Sequence, residues 1–506
     1  MPIDVNRPDL IIGVVGAGTM GRGIAQIAGV AGCSVILADS RPGAASEAHS
    51  FVTRIFRRQV EKGALAQDQA NAALARIKVV DHIDGLSSCH VVIEAIAEVL
   101  SEKKNLMRQL ETVVSEACLL ATNTSSLSVT SIAAACRIPG RIGGFHFFNP
   151  VPLMKIVEVV DGEVTEPWVG DALVVLARRM GHRPFRVKDT PGFIVNHAGR
   201  GFAPESLKLV GEGVADFAEV DRILKGAAGF RMGPFELIDL IGLDISHTAM
   251  ESIYEQYYQE PRYRPSPIGR QRMAAGLLGR KVGRGFYRYD GDRAIVPPVP
   301  SPQIAWSGPV WVAPDDSATK IVDIVSRLGA EVRDDDHPGE DALCVVAPVG
   351  EDCTTAALRH GLDPRRTIAI DPLFGLQTHR TLMTNPATVH GMRDGAHGLF
   401  ASDGVPVTVI HDSPGFVAQR VVATIVNIAC DIAQQRIAIP GDIDEAVVLG
   451  LGYPSGPLAW GDRLGASTVL AVLEAMLGLT GDPRYRPSPW LRRRARLGVS
   501  LLSPEN

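Results

Sequence analysis

IIGVVGAGTMGRGIAQIAGV, residues 11–30, decides the fold. Ile11–Val15 is an uninterrupted apolar run of strand length, and residues 20–31 repeat apolar side chains at helical spacing. Between them lies Gly16-Ala17-Gly18-Thr19-Met20-Gly21, a GxGxxG that follows a strand and opens a helix. In that setting the first glycine permits a tight turn. The second lets a diphosphate approach the backbone, and the third lets the helix pack closely on the strand. The N–H groups around Thr19 and Met20 then face the phosphates. Asp39 closes a second expected strand, 34–39, and stands 18 residues after Gly21. A carboxylate there accepts hydrogen bonds from the adenosine ribose and repels a 2′-phosphate. The reading is therefore NAD over NADP, with nearby Arg41 arguing the other way.

Working outward, a long amphipathic helix is expected over 43–62, and further strands over 90–94, 118–123 and 142–147. Alternating strands and helices imply an α/β fold on a parallel sheet. Residues 190–290 lose the alternation and read as mostly helical. VPPVPSP (296–302) breaks the chain, and a second alternating stretch follows, with strands expected at 310–313, 344–347 and 367–371 but no glycine motif. Three segments recur in order: DTPGFIVN (189–196) as DSPGFVAQ (412–419), MGPFELIDLIG (232–242) as SGPLAWGDRLG (455–465), and PRYRPSP (261–267) as PRYRPSP (483–489). The expected organisation is an NAD-binding Rossmann domain (8–188), a helical substrate domain (189–290), a degenerate Rossmann-like domain (303–411) and a second, structural copy of the helical domain (412–500). The two helical copies are expected to pack as an intrachain pseudo-dimer.

The 506 residues exceed one core, and 46% hydrophobic with 21% charged residues is ordinary for a globular chain. A net charge of -5 gives no electrostatic case for nucleic acid or an anionic membrane. No run of apolar residues is long enough for a span, and the start lacks the pattern of a signal peptide. Seven cysteines with no CxxC pair point away from disulfides and a metal site, and towards a reducing cytoplasm. The basic run LRRRARLG (491–498) reads as a solvated helix face.

Several polar residues stand inside apolar runs between 120 and 200: Ser125 in TNTSSLS, His146 and Asn149 in GFHFFNPVP, Glu158 in KIVEVV, and Asn196 in GFIVNH. Burying such groups costs free energy unless they are paired. A Glu158–His146 pair would fix the tautomer of the ring and raise the basicity of its other nitrogen. Spacing alone leaves a catalytic histidine and a satisfied core histidine both open.

VVGAGTMGRGIAQ (14–26), EAIAE (94–98), NTSSL (123–127), HFFNPVPLMKIVEVV (146–160), DTPGFIVN, GPFELIDLIGLD (233–244) and GRKVGRGFY (279–287) together resemble the L-3-hydroxyacyl-CoA dehydrogenase family, in family order. The whole layout is similar to the long bacterial members of phenylacetate catabolism, which act on 3-hydroxyadipyl-CoA. The resemblance implies reversible, NAD-dependent oxidation of (S)-3-hydroxyacyl-CoA, with 3-hydroxyadipyl-CoA or 3-hydroxybutyryl-CoA as substrate. It implies that His146 is the general base, that Glu158 orients it, and that Ser125 and Asn196 hold the substrate oxygen. It further implies that Glu98, Lys103, Asn149 and Lys281 line the NAD site and that Lys62 touches CoA. Single-copy members pair their helical domains across a dimer, so homo-oligomerisation is also open. Val99 and His197 depart from the family pattern without removing a catalytic group. Gln419 stands where the first copy has Asn196, so one active site per chain is expected. Arg200, Arg231 and Arg270 are candidates for reading a terminal carboxylate on the acyl chain. Two other readings remain: a dehydrogenase of a free β-hydroxy acid, and a non-catalytic NAD- or CoA-sensing protein on the same scaffold.

Overall fold

A computed structural model describes residues 3–300, 302 and 304–505, and in it the chain forms two compact units. One runs up to His197 and takes in Gln435–Leu451; the other comprises Ala198–Gln434 and Gly452 onward. Ser301 of the expected linker and Gln303, the expected start of the third domain, lie outside the described residues.

The first unit is built in the order β1 (Ile11–Val15), α1 (Thr19–Val30), β2 (Ser34–Ala38), α2 (Ala44–Glu61), α3 (Gln67–Ala75), β3 (Ile77–Val80), β4 (Val91–Glu94), α4 (Leu100–Val113), β5 (Leu119–Thr122), α5 (Val129–Ala133), β6 (Ile142–Phe147), β7 (Ile156–Asp161), α6 (Pro167–Arg179) and β8 (Arg183–Lys188), ending in the short α7 (Val195–Ala198). The sheet order is β3-β2-β1-β4-β5-β6-β7-β8, parallel except where β6 meets β7. A parallel sheet covered on both faces needs apolar residues on both sides of each strand. β4 shows this: Val91 and Ile93 pack with α1, α2, α3 and α6, while Val92 packs with α4 and α5. Strand order reverses between β1 and β4, so the carboxyl ends of these two strands open the crevice where such sheets bind ligands.

In the second unit come α8 (Ala203–Gly211), α9 (Phe217–Gly226), α10 (Pro234–Ile241), α11 (Leu243–Gln256), α12 (Pro267–Ala274) and the hairpin β9–β10 (Arg288–Asp290, Arg293–Ile295). A six-stranded sheet follows, from β11 (Val310–Val312), α13 (Ala318–Arg327), β12 (Val332–Arg333), β13 (Leu343–Val346), α14 (Cys353–Arg359), β14 (Thr367–Ile370), β15 (Arg380–Thr384), α15 (His390–Ala401) and β16 (Val407–Ile410). Its order is β12-β11-β13-β14-β15-β16, and only β14 and β15 run antiparallel. The remaining helices are α16 (Ala418–Gln434), α17 (Pro440–Leu451, whose residues fall in the first unit), α18 (Pro457–Leu464), α19 (Ala466–Thr480) and α20 (Pro489–Leu497). α16 buries 15 of its 17 residues and is the core helix of this unit.

Glu205 of α8, fully buried, accepts hydrogen bonds from Arg420 Nε of α16, Arg484 Nη1 (3.3 Å) and the Tyr485 hydroxyl (2.7 Å). Burial works against its charge, but the two guanidinium groups outweigh burial and hold its carboxyl below the usual range. Arg262 likewise pairs with Asp431, and Arg486 with Glu260 (2.8 Å). These pairs join residues of the two repeated helical segments within the unit. No single described helix is long and apolar enough to cross a membrane.

Candidate active site

The glycine turn has the shape a dinucleotide needs. Gly16 takes φ +103°, and a Cβ there would meet the Ala95 carbonyl oxygen at 2.5 Å. A Cβ on Gly21 would collide with the Gly16 carbonyl, whereas one on Gly18 would meet nothing within 4 Å, so the backbone is open to a ligand there. Gly18 is the N-cap of α1 and supplies no side-chain cap, which leaves the first N–H groups of the helix for an anion. Asp39 accepts from the Ala17 N–H (2.7 Å) and the Arg41 N–H (2.8 Å), tying the end of β2 to the glycine turn. A cavity of about 800 Å³ has Asp39 on its wall and Val15, Ala38, Ile83, Ile96 and Leu106 as apolar sides, suited to a purine nucleoside. Arg41 is paired with Glu47 (2.7 Å). The residues present thus fit NAD.

His146 and Glu158 are directly opposite one another in the β6–β7 register, so both side chains leave the same face of the sheet. His146 Nδ1 lies 2.7 Å from Glu158 Oε2. Glu158 is fully buried, and its other oxygen accepts from the Ile194 and Val195 N–H groups at 2.9 and 3.0 Å. Those donors come from the DTPGFIVN segment, where Gly192 and Phe193 take φ +80° and +50° and turn the chain. Both carboxylate oxygens are thus engaged, and an ionised Glu158 makes Nδ1 the protonated ring nitrogen. Nε2 then carries the lone pair, with no hydrogen-bond partner among the described residues. Phe148 and Phe193 flank the ring, at centroid distances of 4.4 and 5.7 Å. The paired-histidine reading thus holds geometrically.

Ser125 lies in the loop between β5 and α5, and Glu98 organises that loop. One Glu98 oxygen accepts from Thr124 Oγ1 (2.7 Å), the N–H groups of Ser125 and Ser126 (2.8 and 3.0 Å) and both of their hydroxyls (3.2 Å each). Burial raises the Glu98 carboxyl, but Lys103 beside it and these donors prevail and leave it below its ordinary value. Asn196 Nδ2 donates to the Ser125 carbonyl at 3.3 Å, so the two residues expected to hold the substrate oxygen do meet.

Lys103 sits beneath this loop rather than on its surface. Its side chain is 1% exposed and bridges Glu94 (2.7 Å) and Glu98 (3.2 Å). Glu94, buried at the end of β4, also accepts from Thr122 Oγ1 (2.7 Å) and the Ile96 N–H (2.8 Å). Sequence reasoning missed Glu94 as a functional support, although a glutamate ending the apolar run VVIE carries the same signal as Glu158. It also missed Asp189, whose carboxylate reaches the start of α5. Asn149 is exposed after β6, and Lys62 is exposed as the C-cap of α2. Lys281 belongs to the second unit and pairs with Asp244 (2.6 Å). Of the three candidate arginines, Arg270 is exposed and paired with Glu251, Arg231 is exposed, and Arg200 is buried. Among the described residues no group of histidine, cysteine and acidic side chains is arranged to hold a metal.

Residues 11–190 match the family model "3-hydroxyacyl-CoA dehydrogenase, NAD binding domain", and residues 192–289 and 415–500 both match "3-hydroxyacyl-CoA dehydrogenase, C-terminal domain". The chain belongs to the 3-hydroxyacyl-CoA dehydrogenase family. It is 36% identical to a 3-hydroxyadipyl-CoA dehydrogenase of Escherichia coli K12 over 96% of this chain and 97% of the relative. A probable 3-hydroxybutyryl-CoA dehydrogenase of Deinococcus radiodurans is 38% identical, covering 55% of this chain and 99% of its own length. The crystal structure of a 3-hydroxybutyryl-CoA dehydrogenase from Escherichia coli K12 superposes with a TM-score of 0.84 at 35% identity, covering 97% of this chain and 98% of that one. The family catalyses NAD-dependent oxidation of 3-hydroxyacyl-CoA, and this chain is an enzyme of that class.

Proposed function

We propose that His146 is the general base of the dehydrogenase reaction, and that the buried 2.7 Å pair with Glu158 is the observation that carries this reading. Nε2 takes the proton of the substrate's 3-hydroxyl, and Glu158 balances the imidazolium that results. The Ser125 hydroxyl, turned from Glu98 to the substrate, and the Asn196 amide donate to the substrate oxygen in either direction, steadying the alkoxide character that develops on it. The α1 N-terminus and Asp39 would hold NAD, which would supply the acceptor for the hydride leaving C3. Gly16, Gly18, Thr19, Met20, Gly21, Glu98 and Asn149 hold the cofactor in this account. Lys103 acts through Glu98, and Lys281 and Lys62 are assigned to NAD and to CoA on the family resemblance alone.

For the acyl group we infer 3-hydroxyadipyl-CoA, the substrate in the name of one relative matched over nearly the full length of this chain, with 3-hydroxybutyryl-CoA, the substrate in the name of a solved structure matched as fully, as the competing substrate. The ratio of kcat/KM for the two thioesters tests this. A preference for the dicarboxyl chain supports it, and a preference for the butyryl chain overturns it.

We read the organisation as 8–188, 189–290, 303–411 and 412–500, with the second half a non-catalytic copy. Arg141 donates to the carbonyls of Ser115 and Cys118, and Arg366, 225 residues further on, donates to those of Gly339 and Ala342. β5 pairs β6 as β13 pairs β14, with Leu120 opposite Ile142 and Cys344 opposite Thr367. Continuing that register sets Asp371 in the place of His146 and Thr381 in the place of Glu158. Gln419, in the place of Asn196, donates to Asp371 Oδ1 at 2.9 Å and so occupies the equivalent position itself. Asp371 is buried, its Oδ1 is taken up by Gln419 and by the N–H groups of Leu373 and Phe374, and no histidine–carboxylate pair stands there, which supports one active site per chain. The buried Glu205–Arg420–Arg484 cluster supports the pseudo-dimer reading. Seven free cysteines suit a cytoplasmic setting.

A further inference from the structure

Two loops carry the donors assigned to the substrate oxygen, and one carboxylate fastens them together. Asp189 opens the DTPGFIVN segment just after β8. Its Oδ1 accepts from the Val129 N–H (3.0 Å), and its Oδ2 from the Thr130 N–H (2.7 Å) and the Ser128 hydroxyl (2.8 Å). The Ser128 hydroxyl in turn caps α5 by accepting from the Ser131 N–H at 3.1 Å. The Asp189 N–H donates to the Asp161 carbonyl at the end of β7 (3.1 Å). The residue is therefore fixed to β7 through its main chain and to the Ser125 segment through its side chain. The next turn of chain delivers two N–H groups to Glu158 and then Asn196. Asn196 Nδ2 also links the loops by donating to the Ser125 carbonyl at 3.3 Å.

We propose that Asp189 is a positioning residue for hydride transfer: it sets the spacing between Ser125 and Asn196 and so the seat of the substrate oxygen. This rests on the reading of those two residues as the oxygen's donors. A displacement of about 1 Å in such groups costs on the order of 100-fold in rate. The simpler account is that the carboxylate merely stabilises α5. The chain contains its own control, because Asp412 accepts from the Cys353 N–H (2.8 Å) and the Thr354 hydroxyl at the start of α14, where Asp352 caps Thr355 (2.7 Å) as Ser128 caps Ser131. That copy has a comparable fastening, one N–H and one hydroxyl on the aspartate, and no catalytic histidine.

The experiment compares Asp189→Asn and Asp412→Asn in the full chain, by Tm, by kcat, by KM for NAD and by the deuterium isotope effect on kcat with substrate labelled at C3. The proposal expects similar losses of Tm in the two variants. In Asp189→Asn alone kcat falls about tenfold or more, with KM for NAD unchanged and a larger isotope effect as chemistry becomes limiting. Wild-type kcat and isotope effect in Asp189→Asn overturn it, as does an equal loss of kcat in Asp412→Asn. If Asp189→Asn does not fold, Asp189→Ser, which keeps one acceptor, replaces it with the same expectations. Ser125→Ala leaves the Asp189 bonds in place and tests the underlying reading on its own. A normal kcat there refutes the role of Ser125, while a slow Ser125→Ala beside a normal Asp189→Asn refutes only the proposal.

Discussion

Replacing Glu158 by glutamine keeps the shape of the side chain and removes its charge, and the structure says how the amide must lie. The N–H groups of Ile194 and Val195 both need an acceptor, so the amide oxygen takes the Oε1 position. The NH2 group is then left facing His146 Nδ1 at the 2.7 Å position. It donates, Nδ1 must accept, and the ring proton moves to Nε2, the nitrogen that has to receive the substrate's proton. The imidazolium also loses a counter-charge about 4 Å away, worth about 4 kcal/mol at an effective dielectric of 20. Together these effects should slow turnover by about 10²- to 10⁴-fold, the span of a lost general base. KM for NAD stays as it is, because Asp39 and the glycine turn are untouched. The assay is NADH formation in the steady state, with thermal unfolding to confirm the fold. Turnover within about threefold of wild type would refute the tautomer argument.

Gly16→Ala forces a Cβ to 2.5 Å from the Ala95 carbonyl at φ +103°. KM for NAD is expected to rise at least about tenfold, read by cofactor titration. Glu205→Gln leaves Arg420 and Arg484 buried around a neutral partner and should cost about 3 kcal/mol in denaturant unfolding. Asp371 is 1% exposed, and burial pushes its carboxyl up to about 6 from an ordinary 3.8. The folded state therefore binds the proton more tightly, and stability conferred by the neutral acid is lost as pH rises from about 4 to 6. Asp371→Asn should flatten that slope and raise stability near pH 7.5 above wild type by an amount on the order of 1–3 kcal/mol, read as a higher Tm. An unchanged Tm profile contradicts the buried-acid account.

The glycine turn is legible in the sequence because strand, turn and helix are consecutive in the chain, and the bounds of β6 are legible because IGGFHF is one apolar run. β7 does not read as a strand, since KIVEVV has a buried glutamate whose partner, His146, lies on the neighbouring strand. β8 (RPFRVK) alternates charged and apolar residues, and the expectation of buried parallel strands hides it. Resemblance places Lys103 at the cofactor, but the buried Glu94 needs a counter-ion, and only the fold reveals that the lysine supplies it. The bonds of Asp189 span about 60 residues of sequence and leave no periodic trace. The repeat in the helical segments is legible from identities. Its extension into the second sheet is not, because there the sameness lies in hydrogen bonds to main-chain carbonyls, such as those of Arg141 and Arg366.

The most direct test of the central claim is His146→Ala, assayed for NADH formation from 3-hydroxyadipyl-CoA and (S)-3-hydroxybutyryl-CoA alongside wild type, with NAD binding measured on the same samples. The account predicts turnover by wild type that falls by about 10²-fold or more in the variant while NAD still binds with wild-type affinity. Retained turnover in the variant would contradict it, by showing that the proton leaves through some other group.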